Sequence, residues 1–360
     1  MVMAEALTAH SASPGRSAHQ YSLLSSRIIF DAREAAAELL GAPDSSRIAF
    51  TLNVTWALNT ALGRLKPGGH VLTSCLEHNS VMRPLNHLAR ERGIELEIVP
   101  LNPDGYMDPD EFRKRKRPDT QLAVVTHASN VIGLILPIRE IRRALDGVPL
   151  LVDAAQTAGV VSLHPVTDLA DMIAFTGHKS LLGPTGTGGL WARDGIDIPP
   201  LARGGTGSRS ELEEQPEFMP DALEAGTPNT HGLAGLAAGI QYVLQTGTDK
   251  ILAHEQALNR IFMDGLSQIK GATAYGPVDP TARVGVVSLN LDGWSPSDLA
   301  LALDREYGIM TRSGLHCSPR AHQTIGTFPQ GTVRFSFGWF NTRDHIDAAL
   351  KALDALSRES

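Results

Sequence analysis

The amino-acid sequence predicts an α/β fold in which a large, mostly parallel sheet is covered by helices on both faces. Short apolar runs alternate with helical patterns between about residues 45 and 192. The runs are continuously apolar, as in strands that are buried on both faces, and strands separated by helices are typical of parallel sheets. The predicted strands are 47–50, 70–73, 96–99, 122–125, 150–152 and 172–175.

Helices are predicted between several of these strands, at 54–65, 81–92 and 138–145. A stretch rich in Gly, Pro, Glu and Ser at 203–229 then predicts a loop. Beyond it the pattern changes to helices at about 233–244 and 250–269, a strand at 285–291, a helix at 297–307, a strand at 332–337 and a closing helix at 343–356. We therefore expect a large domain of residues 40–250 and a smaller α+β domain made of residues 1–39 and 251–360.

Composition restricts the classes of partner. The chain has 360 residues, a net charge of −7 and 42% hydrophobic residues, which is ordinary for a soluble globular protein. A negative net charge does not favour nucleic acid or an anionic membrane, and no apolar stretch approaches the roughly 20 residues of a membrane span. The basic run 113–117 is predicted to be a solvated helix end, with nucleic-acid contact as the alternative. With no signal-peptide pattern at residues 1–10, we expect a cytoplasmic protein.

Cys75 and Cys317 are the only cysteines. Two cysteines do not make a disulfide framework, and their spacing from histidines does not indicate a zinc site. No metal is expected.

Lys179 is the most informative residue, because of its neighbours. It lies in Gly177-His178-Lys179, ahead of a glycine-rich run at 183–189, and an upstream apolar run ends in Asp153. Pyridoxal phosphate (PLP) needs a lysine for its Schiff base and a carboxylate that keeps its pyridine nitrogen protonated. A lone lysine is normally a solvated surface charge. A lysine and an acid that follow neighbouring buried strands instead predict a PLP site.

Phosphate-binding groups are predicted near the same strand ends. Asn53-Val54-Thr55 opens a predicted helix, where free backbone N–H groups and the helix dipole bind anions. The alternative for Thr55 is an ordinary helix cap. Thr176 and His178 flank the lysine and could add phosphate donors, although His178 could equally be a buried, hydrogen-bonded histidine.

Further polar residues follow the other strands. His78 could stack on a flat cofactor and shuttle protons near neutral pH, and Asn130 could hydrogen-bond the cofactor or the substrate. Gln156, just past Asp153, could reach the phenolic oxygen of the cofactor or be an ordinary loop residue. Arg334 lies inside an apolar strand, and a buried guanidinium needs an anion, either an internal carboxylate or that of a substrate.

Taken together, these motifs resemble the PLP-dependent class V aminotransferase-fold family, in its cysteine desulfurase and selenocysteine lyase group. The resemblance runs from about residue 14 to residue 342. It implies a PLP-dependent transferase of fold type I. It rests on Glu77-His78-Asn79, His127-Ala128-Ser129-Asn130, Asp153-Ala154-Ala155-Gln156, Gly177-His178-Lys179, Gly204-Gly205-Thr206-Gly207, Arg312-Ser313-Gly314-Leu315-His316-Cys317 and Arg334.

The resemblance also implies a role for each site residue. Lys179 carries the cofactor, Asp153 pairs with the pyridine nitrogen, His78 stacks on the ring and Gln156 meets the phenolic oxygen. The phosphate contacts are Asn53, Val54, Thr55, Thr176, His178 and, from the second subunit of a homodimer, Thr206. The substrate-binding candidates are Asn130, Arg334, His19 and Arg312. Catalysis is assigned to Lys179, His78 and Cys317, with Cys317 as the sulfur-accepting nucleophile.

The expected reaction is removal of sulfur from L-cysteine, which gives L-alanine and a persulfide on Cys317. A nearby positive charge would activate the Cys317 thiol, and His316 and Arg312 are the candidates. The alternative role for Cys317 is that of a small buried hydrophobic residue. We favour that role for Cys75. Only about 17 residues separate Cys317 from Arg334, a short segment that resembles the selenocysteine lyase-like branch.

Several alternatives to this reaction stay open. They are selenocysteine lyase activity, another reaction on the same scaffold, and a PLP-binding sulfur-relay protein of low activity. Residues 1–13 lack the Asn-Ala-Ala-Thr-Thr-like segment usual in the family, which motivates the last of these. A sulfur-acceptor protein is a candidate partner.

Overall fold

A computed structural model describes residues 1–9, 11–15, 19–209 and 211–359. Within these ranges, seven strands form the larger sheet in the order β1-β7-β6-β5-β4-β2-β3. Their bounds are β1 Ile48–Thr51, β2 His70–Ser74, β3 Glu95–Val99, β4 Thr120–Thr126, β5 Leu150–Asp153, β6 Met172–Thr176 and β7 Gly188–Ala192.

The sheet is parallel except at one strand. β7 runs antiparallel to both of its neighbours, β1 and β6, whereas the other adjacent strands pair in parallel. β1 is therefore parallel to β6, and six strands place their carboxyl ends at one edge. The predicted α/β fold with a mostly parallel sheet is confirmed, and this edge is where ligands of such sheets bind.

Helices cover both faces of this sheet. On one face Leu58 of α3 shares a core with Val71 of β2, and on the other Leu236 of α8 shares a core with Leu72. The bounds in this part of the chain are α1 Val2–Ala9, α2 Gln20–Leu40, α3 Val54–Leu62, α4 Asn79–Arg92, α5 Pro109–Arg115, α6 Ile138–Leu145, α7 His164–Thr167 and α8 Thr230–Thr246.

A second, antiparallel sheet has the strand order β10-β11-β9-β8. The helices of this part of the chain pack against the sheet, and the core that they share with it includes Phe262, Leu289, Phe335 and Leu353. The bounds are α9 Thr248–Leu266, β8 Ala272–Tyr275, β9 Val286–Leu291, α10 Pro296–Tyr307, β10 Arg312–Gly314, α11 Pro319–Thr324, β11 Thr332–Ser336 and α12 Arg343–Ser357.

The long helix α2 is an element that the sequence analysis did not predict. It packs against α8, and buried residues such as Ala36 and Leu40 belong to the core of the large sheet. The division into two domains stays a prediction, but this packing favours assigning residues 20–39 to the larger unit rather than to the smaller one.

The basic run lies at the end of α5, which finishes at Arg115. Each of its side chains is close to a carboxylate: Arg113 pairs with Asp110, Lys114 with Glu111, Arg115 with Glu97 and Glu111, Lys116 with Asp146, and Arg117 with Glu95 and Glu97. This local neutralisation argues against a nucleic-acid surface. Among the described helices, none is both long and apolar enough to cross a membrane.

Candidate active site

The candidate residues converge at the carboxyl edge of the large sheet. Asp153 ends β5, Thr176 ends β6, and Lys179 lies in the turn that follows. Asn53 caps α3 just after β1, and His78 caps α4 just after β2. Parallel strand ends thus gather residues that are far apart in the sequence.

Lys179 and Asp153 influence each other electrostatically. The carboxyl of Asp153 is buried and accepts a 2.9 Å hydrogen bond from the Ala155 N–H, while burial raises its pKa. Part of the Lys179 side chain is accessible to solvent, but protein atoms surround most of it. This partial burial lowers its pKa. Arg334 and Arg312 lower this pKa further, and Asp153 opposes them. The surroundings therefore make Lys179 easier to deprotonate than an ordinary lysine, and the neutral amine is the form that reacts with a carbonyl or accepts a proton.

His78 is held in a defined protonation state. Its Nδ1 accepts a 3.0 Å hydrogen bond from the Ser80 N–H, so the neutral ring carries its proton on Nε2. Burial, followed by the charge of Lys179, lowers the pKa of His78 to about 4. The Ser80 hydroxyl lies 2.8 Å from Nδ1 and 2.7 Å from the Thr55 hydroxyl. Ser80, which the sequence analysis did not single out, thus connects His78 to the beginning of α3.

The beginning of α3 offers an anion-binding site. Asn53 accepts a 3.1 Å hydrogen bond from the Trp56 N–H, while Val54 and Thr55 are the first two residues of the helix. A Cβ on Gly188 would lie 2.8 Å from the Asn53 Cα, so only glycine permits this close approach. The N–H groups of the first turn have no partner within the helix and favour a negative charge.

Three further candidates, Thr176, His178 and Gln156, lie at the same edge of the sheet. Thr176 and His178 lie close together, with 3.0 Å between Oγ1 and Nδ1, and burial lowers the pKa of His178. Gln156 is half-buried in the turn after β5 and has no hydrogen-bond partner among the described residues. A lysine with a lowered pKa, a buried carboxyl and the beginning of a helix with nearby hydroxyls match the functional groups of PLP. The residues present therefore fit this cofactor.

Cys317 is itself exposed, in a turn after β10 whose flanking residues His316 and Ser318 are buried, and its Sγ accepts a 3.3 Å hydrogen bond from the guanidinium of Arg312. His316, the other predicted source of positive charge, is buried, and burial lowers its pKa to about 4. It is neutral at neutral pH, so Arg312 is the cation beside the thiol. Cys75 is buried, as expected of a small core residue.

Arg334 makes no ion pair with a carboxylate in the described part of the chain. Its Nη1 donates a 3.0 Å hydrogen bond to the Asn130 carbonyl, and its buried Nε has no partner. Burial lowers its pKa to about 10, with Arg312 adding to the effect. The internal ion pair considered from the sequence is therefore not formed by these residues, and an external anion would satisfy the guanidinium.

The side chain of Asn130 contacts the cysteine turn. Its Nδ2 donates to the His316 carbonyl at 2.8 Å, and its Oδ1 accepts from the Ser318 hydroxyl at 2.8 Å. The sequence analysis assigned Asn130 to the substrate carboxylate and did not foresee these bonds, because they join segments that are far apart in the chain.

The described contacts of His19 and Thr206 do not include the other candidate residues. His19 is exposed and caps α2, with Nδ1 accepting from the Ser22 N–H at 3.2 Å, and none of its described contacts reaches the Lys179 cluster. Thr206 lines a cavity of about 450 Å³ beside Trp56 and Asn229, and the described lining of this cavity does not include Lys179. Among the described residues, no contact joins His19 or Thr206 to the other candidates, although Trp56 in the lining of this cavity directly follows Thr55.

The fold and the family to which the chain belongs indicate a PLP-dependent enzyme. The chain belongs to the aminotransferase class-V family, whose sequence model matches residues 1–349. It is 34% identical to a probable cysteine desulfurase from Methanothermobacter thermautotrophicus, over 99% of this chain and 90% of that protein. It is 31% identical to a cysteine desulfurase from Salmonella choleraesuis, over 95% and 86%. The apo structure of a cysteine desulfurase from Thermococcus onnurineus superimposes with a TM-score of 0.92 at 32% identity, covering 100% of this chain and 91% of that one.

Proposed function

We propose that this protein is a cysteine desulfurase, which converts L-cysteine to L-alanine and leaves a persulfide on Cys317. The observation that carries the proposal is the Cys317 thiol, 3.3 Å from the Arg312 guanidinium, in a turn whose flanking residues bond to Asn130 at the edge of the Lys179 site. The guanidinium holds the sulfur in place and can stabilise negative charge that develops on it during attack. Relatives that cover nearly the whole chain bear the name cysteine desulfurase.

The cofactor would be held by residues at the strand ends. Lys179 would carry it, Asp153 would face its pyridine nitrogen, and the beginning of α3 with Thr176 and His178 would bind its phosphate. When bound, PLP withdraws electrons from the substrate carbon next to the amine. The neutral His78 ring would stack on it, and Gln156 would donate to its phenolic oxygen.

The substrate carboxylate is assigned to the arginine pair. Arg312 and Arg334 lie opposite each other on β10 and β11, and neither has a carboxylate partner in the described ranges. A carboxylate bound there would satisfy the Arg334 Nε and reduce the repulsion between the two charges. It would also place the substrate between Lys179 and Cys317.

The chain's own residues can then perform the transfer. Lys179, whose pKa is lowered by burial, is the candidate base for the α-proton of the substrate. Cys317 as thiolate attacks the substrate sulfur, so an S–S bond forms on its Sγ and the substrate C–S bond breaks. The electron pair of that bond stays with the substrate carbon, which takes up a proton and becomes the methyl group of alanine. No external oxidant is needed, because the carbon of the substrate is reduced to the methyl group of alanine while the sulfur atoms are oxidised to the persulfide.

The test is to incubate the PLP-loaded protein with L-cysteine and a thiol reductant and to measure alanine and sulfide. Equal, steady release of both is expected. Bound cofactor with no alanine would overturn the proposal and favour a sulfur-relay protein. Release of keto acid or ammonia in place of alanine would favour another reaction on the same scaffold.

Selenocysteine lyase activity is the second candidate. It is favoured by the short segment from Cys317 to Arg334, in which the turn is held to the body of the protein by Asn130 and by a bond from the Asn79 N–H to the Cys317 carbonyl. A thiol tied in this way cannot extend far toward a distant acceptor protein. The same assay with L-selenocysteine decides between them by the ratio of the two kcat/KM values.

We also infer a homodimer with a shared site. No described contact joins Thr206 to the Lys179 cluster, whereas the resemblance assigns it to a cofactor phosphate of the second subunit. Trp56 and Leu52, next to the phosphate-binding turn, are exposed apolar residues that a second subunit would cover. A separate sulfur-acceptor protein remains a candidate partner.

A further inference from the structure

The turn that carries Cys317 has a strained backbone. His316 and Cys317 are consecutive non-glycine residues with φ values of 51° and 59°, both in the left-handed region. Each such residue costs on the order of 1–3 kcal/mol and persists only where the surrounding structure holds it. The bonds to this turn are therefore worth tracing beyond the immediate contacts.

A chain of hydrogen bonds runs from the turn into the interior. His316 Nε2 lies 3.0 Å from the Arg312 carbonyl, His316 Nδ1 lies 3.2 Å from His322 Nε2, and His322 Nδ1 lies 2.7 Å from the Thr327 hydroxyl. His316 is 2% exposed, and His322 on α11 is fully buried. The chain thus joins α11 to the turn without contacting the cofactor residues.

The Arg312 carbonyl determines which ring nitrogen of His316 and of His322 carries the proton. Because the Arg312 carbonyl can only accept, His316 Nε2 carries the proton and Nδ1 is left as an acceptor. His322 must then donate from Nε2, which leaves its own Nδ1 to accept the Thr327 proton. Burial lowers the pKa of both histidines to about 4, so both rings are neutral at neutral pH, as the chain requires.

The consequence reaches the thiol from two directions. His316 precedes Cys317, so fixing its ring fixes the strained turn. Its Nε2 also holds the Arg312 carbonyl, and the guanidinium of Arg312 donates to Cys317 Sγ. Resting on the desulfurase function proposed above, we propose that His322 is a positioning residue, which through His316 holds the Cys317 thiol against Arg312.

The test compares His322→Phe with His322→Gln. Phenylalanine keeps the ring but cannot donate to His316, whereas the Nε2 amide of glutamine can donate from nearly the same place. Since a misplacement of about 1 Å can cost about a hundredfold in rate, His322→Phe should lower kcat for cysteine by about ten- to a hundredfold. The affinity for L-alanine should stay within about twofold of the unsubstituted protein, because alanine does not need the thiol and the histidine chain bonds to the Arg312 carbonyl and not to the guanidiniums assigned to the substrate carboxylate. His322→Gln should recover most of kcat.

Hydrogen exchange gives a second measurement, on cofactor-free protein. The Ser318 amide donates to the Leu315 carbonyl and the Asn79 amide to the Cys317 carbonyl, both at 2.8 Å. In His322→Phe these two amides should exchange about tenfold faster or more, with β5 amides unchanged, because local opening of the turn becomes easier. Should His322→Phe fail to fold, Thr327→Val tests the same chain from its far end, with a smaller fall in kcat and the same pattern of exchange.

The outcomes separate this proposal from the proposed function. Absence of cysteine turnover in the unsubstituted protein would overturn the function, while the exchange measurement would still decide whether His322 holds the turn. Normal turnover combined with a kcat for His322→Phe within about twofold would overturn the positioning role alone. Equal loss in the glutamine and phenylalanine variants, or a parallel loss of alanine affinity, would also overturn it, because the donor would then not be the property that matters.

Discussion

Arg312 on β10 and Arg334 on β11 face each other in register, two positive charges directly opposite on antiparallel strands. Such a pair destabilises a sheet unless an anion lies between the charges. Both guanidiniums lower the pKa of Lys179, so the same charges that would bind a carboxylate favour the neutral amine of the lysine. The proposed contact with the substrate carboxylate and the lowered pKa of Lys179 thus depend on the same two arginines.

The arginine pair predicts a division of roles. Arg334→Met should weaken binding of L-alanine by about ten- to a hundredfold, the effect of losing a charge-assisted contact. Arg312→Met should weaken alanine binding less than Arg334→Met does and should in addition lower kcat for cysteine, because this guanidinium also donates to Cys317 Sγ. Titration of PLP-loaded protein with alanine, followed by absorbance, measures the first, and steady-state kinetics measures the second. Unchanged alanine affinity in Arg334→Met would contradict the assignment.

Lys179 is expected to carry the cofactor. Lys179→Ala should lose the visible absorption of lysine-linked PLP and all turnover, since no other amine adjoins Asp153 in the described site. The matched control is Lys351→Ala, at an exposed position on α12, which should keep both. Lys179→Ala protein that still shows the band without added amine would mean that another group binds PLP.

The two cysteines should behave differently. Cys317→Ser should keep alanine affinity but lose the persulfide, detected by mass spectrometry, and lower kcat for cysteine by more than about a hundredfold, because the attacking thiolate is gone. Cys75→Ala should form the persulfide normally, since Cys75 is buried and burial raises the pKa of its thiol. Selenocysteine turnover that survives in Cys317→Ser would support the lyase reaction. Equal loss of cysteine turnover in both variants would contradict the assignment of Cys317.

Sequence patterns predicted those parts of the fold that depend on local signals. Strands such as β4 and β6 contain continuous apolar runs, and Asp153 and Lys179 could be placed at the edge of the sheet because each lies within a few residues of the end of such a run. β7 was missed because it begins with Gly188 and Gly189, residues that weaken a strand pattern. A Cβ on Gly188 would lie 2.7 Å from the Phe175 carbonyl, so tertiary contact, not strand propensity, selects glycine there.

The sequence indicated which residues lie at the strand ends, but it did not indicate the contacts between distant segments. Asn130, predicted from its position after β4, has an amide that bonds to the turn nearly two hundred residues away. His322 and Ser318 gave no signal, because a buried histidine or serine in a short helix or turn is usual in any core. Their roles depend on partners that only the folded chain brings within hydrogen-bond distance.

A shared site across a homodimer makes two predictions for Thr206. Thr206→Ala should weaken PLP retention by about ten- to a hundredfold, the loss of one charge-assisted hydrogen bond to phosphate. Lys179→Ala and Thr206→Arg proteins, each inactive alone, should regain some activity when mixed, because one site of the mixed dimer has both residues intact. Co-purification with two different tags confirms subunit exchange. Mixed dimers without activity, or a fully active monomer, would show that the site is not shared.

Buried histidines predict how stability depends on pH. His78, His127, His316 and His322 each have a pKa lowered to about 4, with burial as the largest cause. An imidazole in the unfolded chain titrates near about 6.5, so below that pH the unfolded chain binds more protons and the free energy of unfolding falls as pH falls toward about 4.

Glu77 and Glu255 act in the opposite direction. Burial raises their pKa values to about 8 and about 7, so the stability they contribute at low pH is lost as pH rises through those values.

His127 isolates one of these contributions, because burial alone lowers its pKa and its Nδ1 bonds only to the Thr157 hydroxyl at 2.9 Å. In His127→Gln, the free energy of unfolding should depend less steeply on pH between about 4 and 6.5, by up to about 1.4 kcal/mol per pH unit for one proton. Urea unfolding at a series of pH values measures this slope, and His87→Gln, at an exposed position on α4, is the matched control. If His127→Gln and the unsubstituted protein keep the same slope, His127 is not held neutral in the folded protein, and the acid sensitivity has to come from other groups.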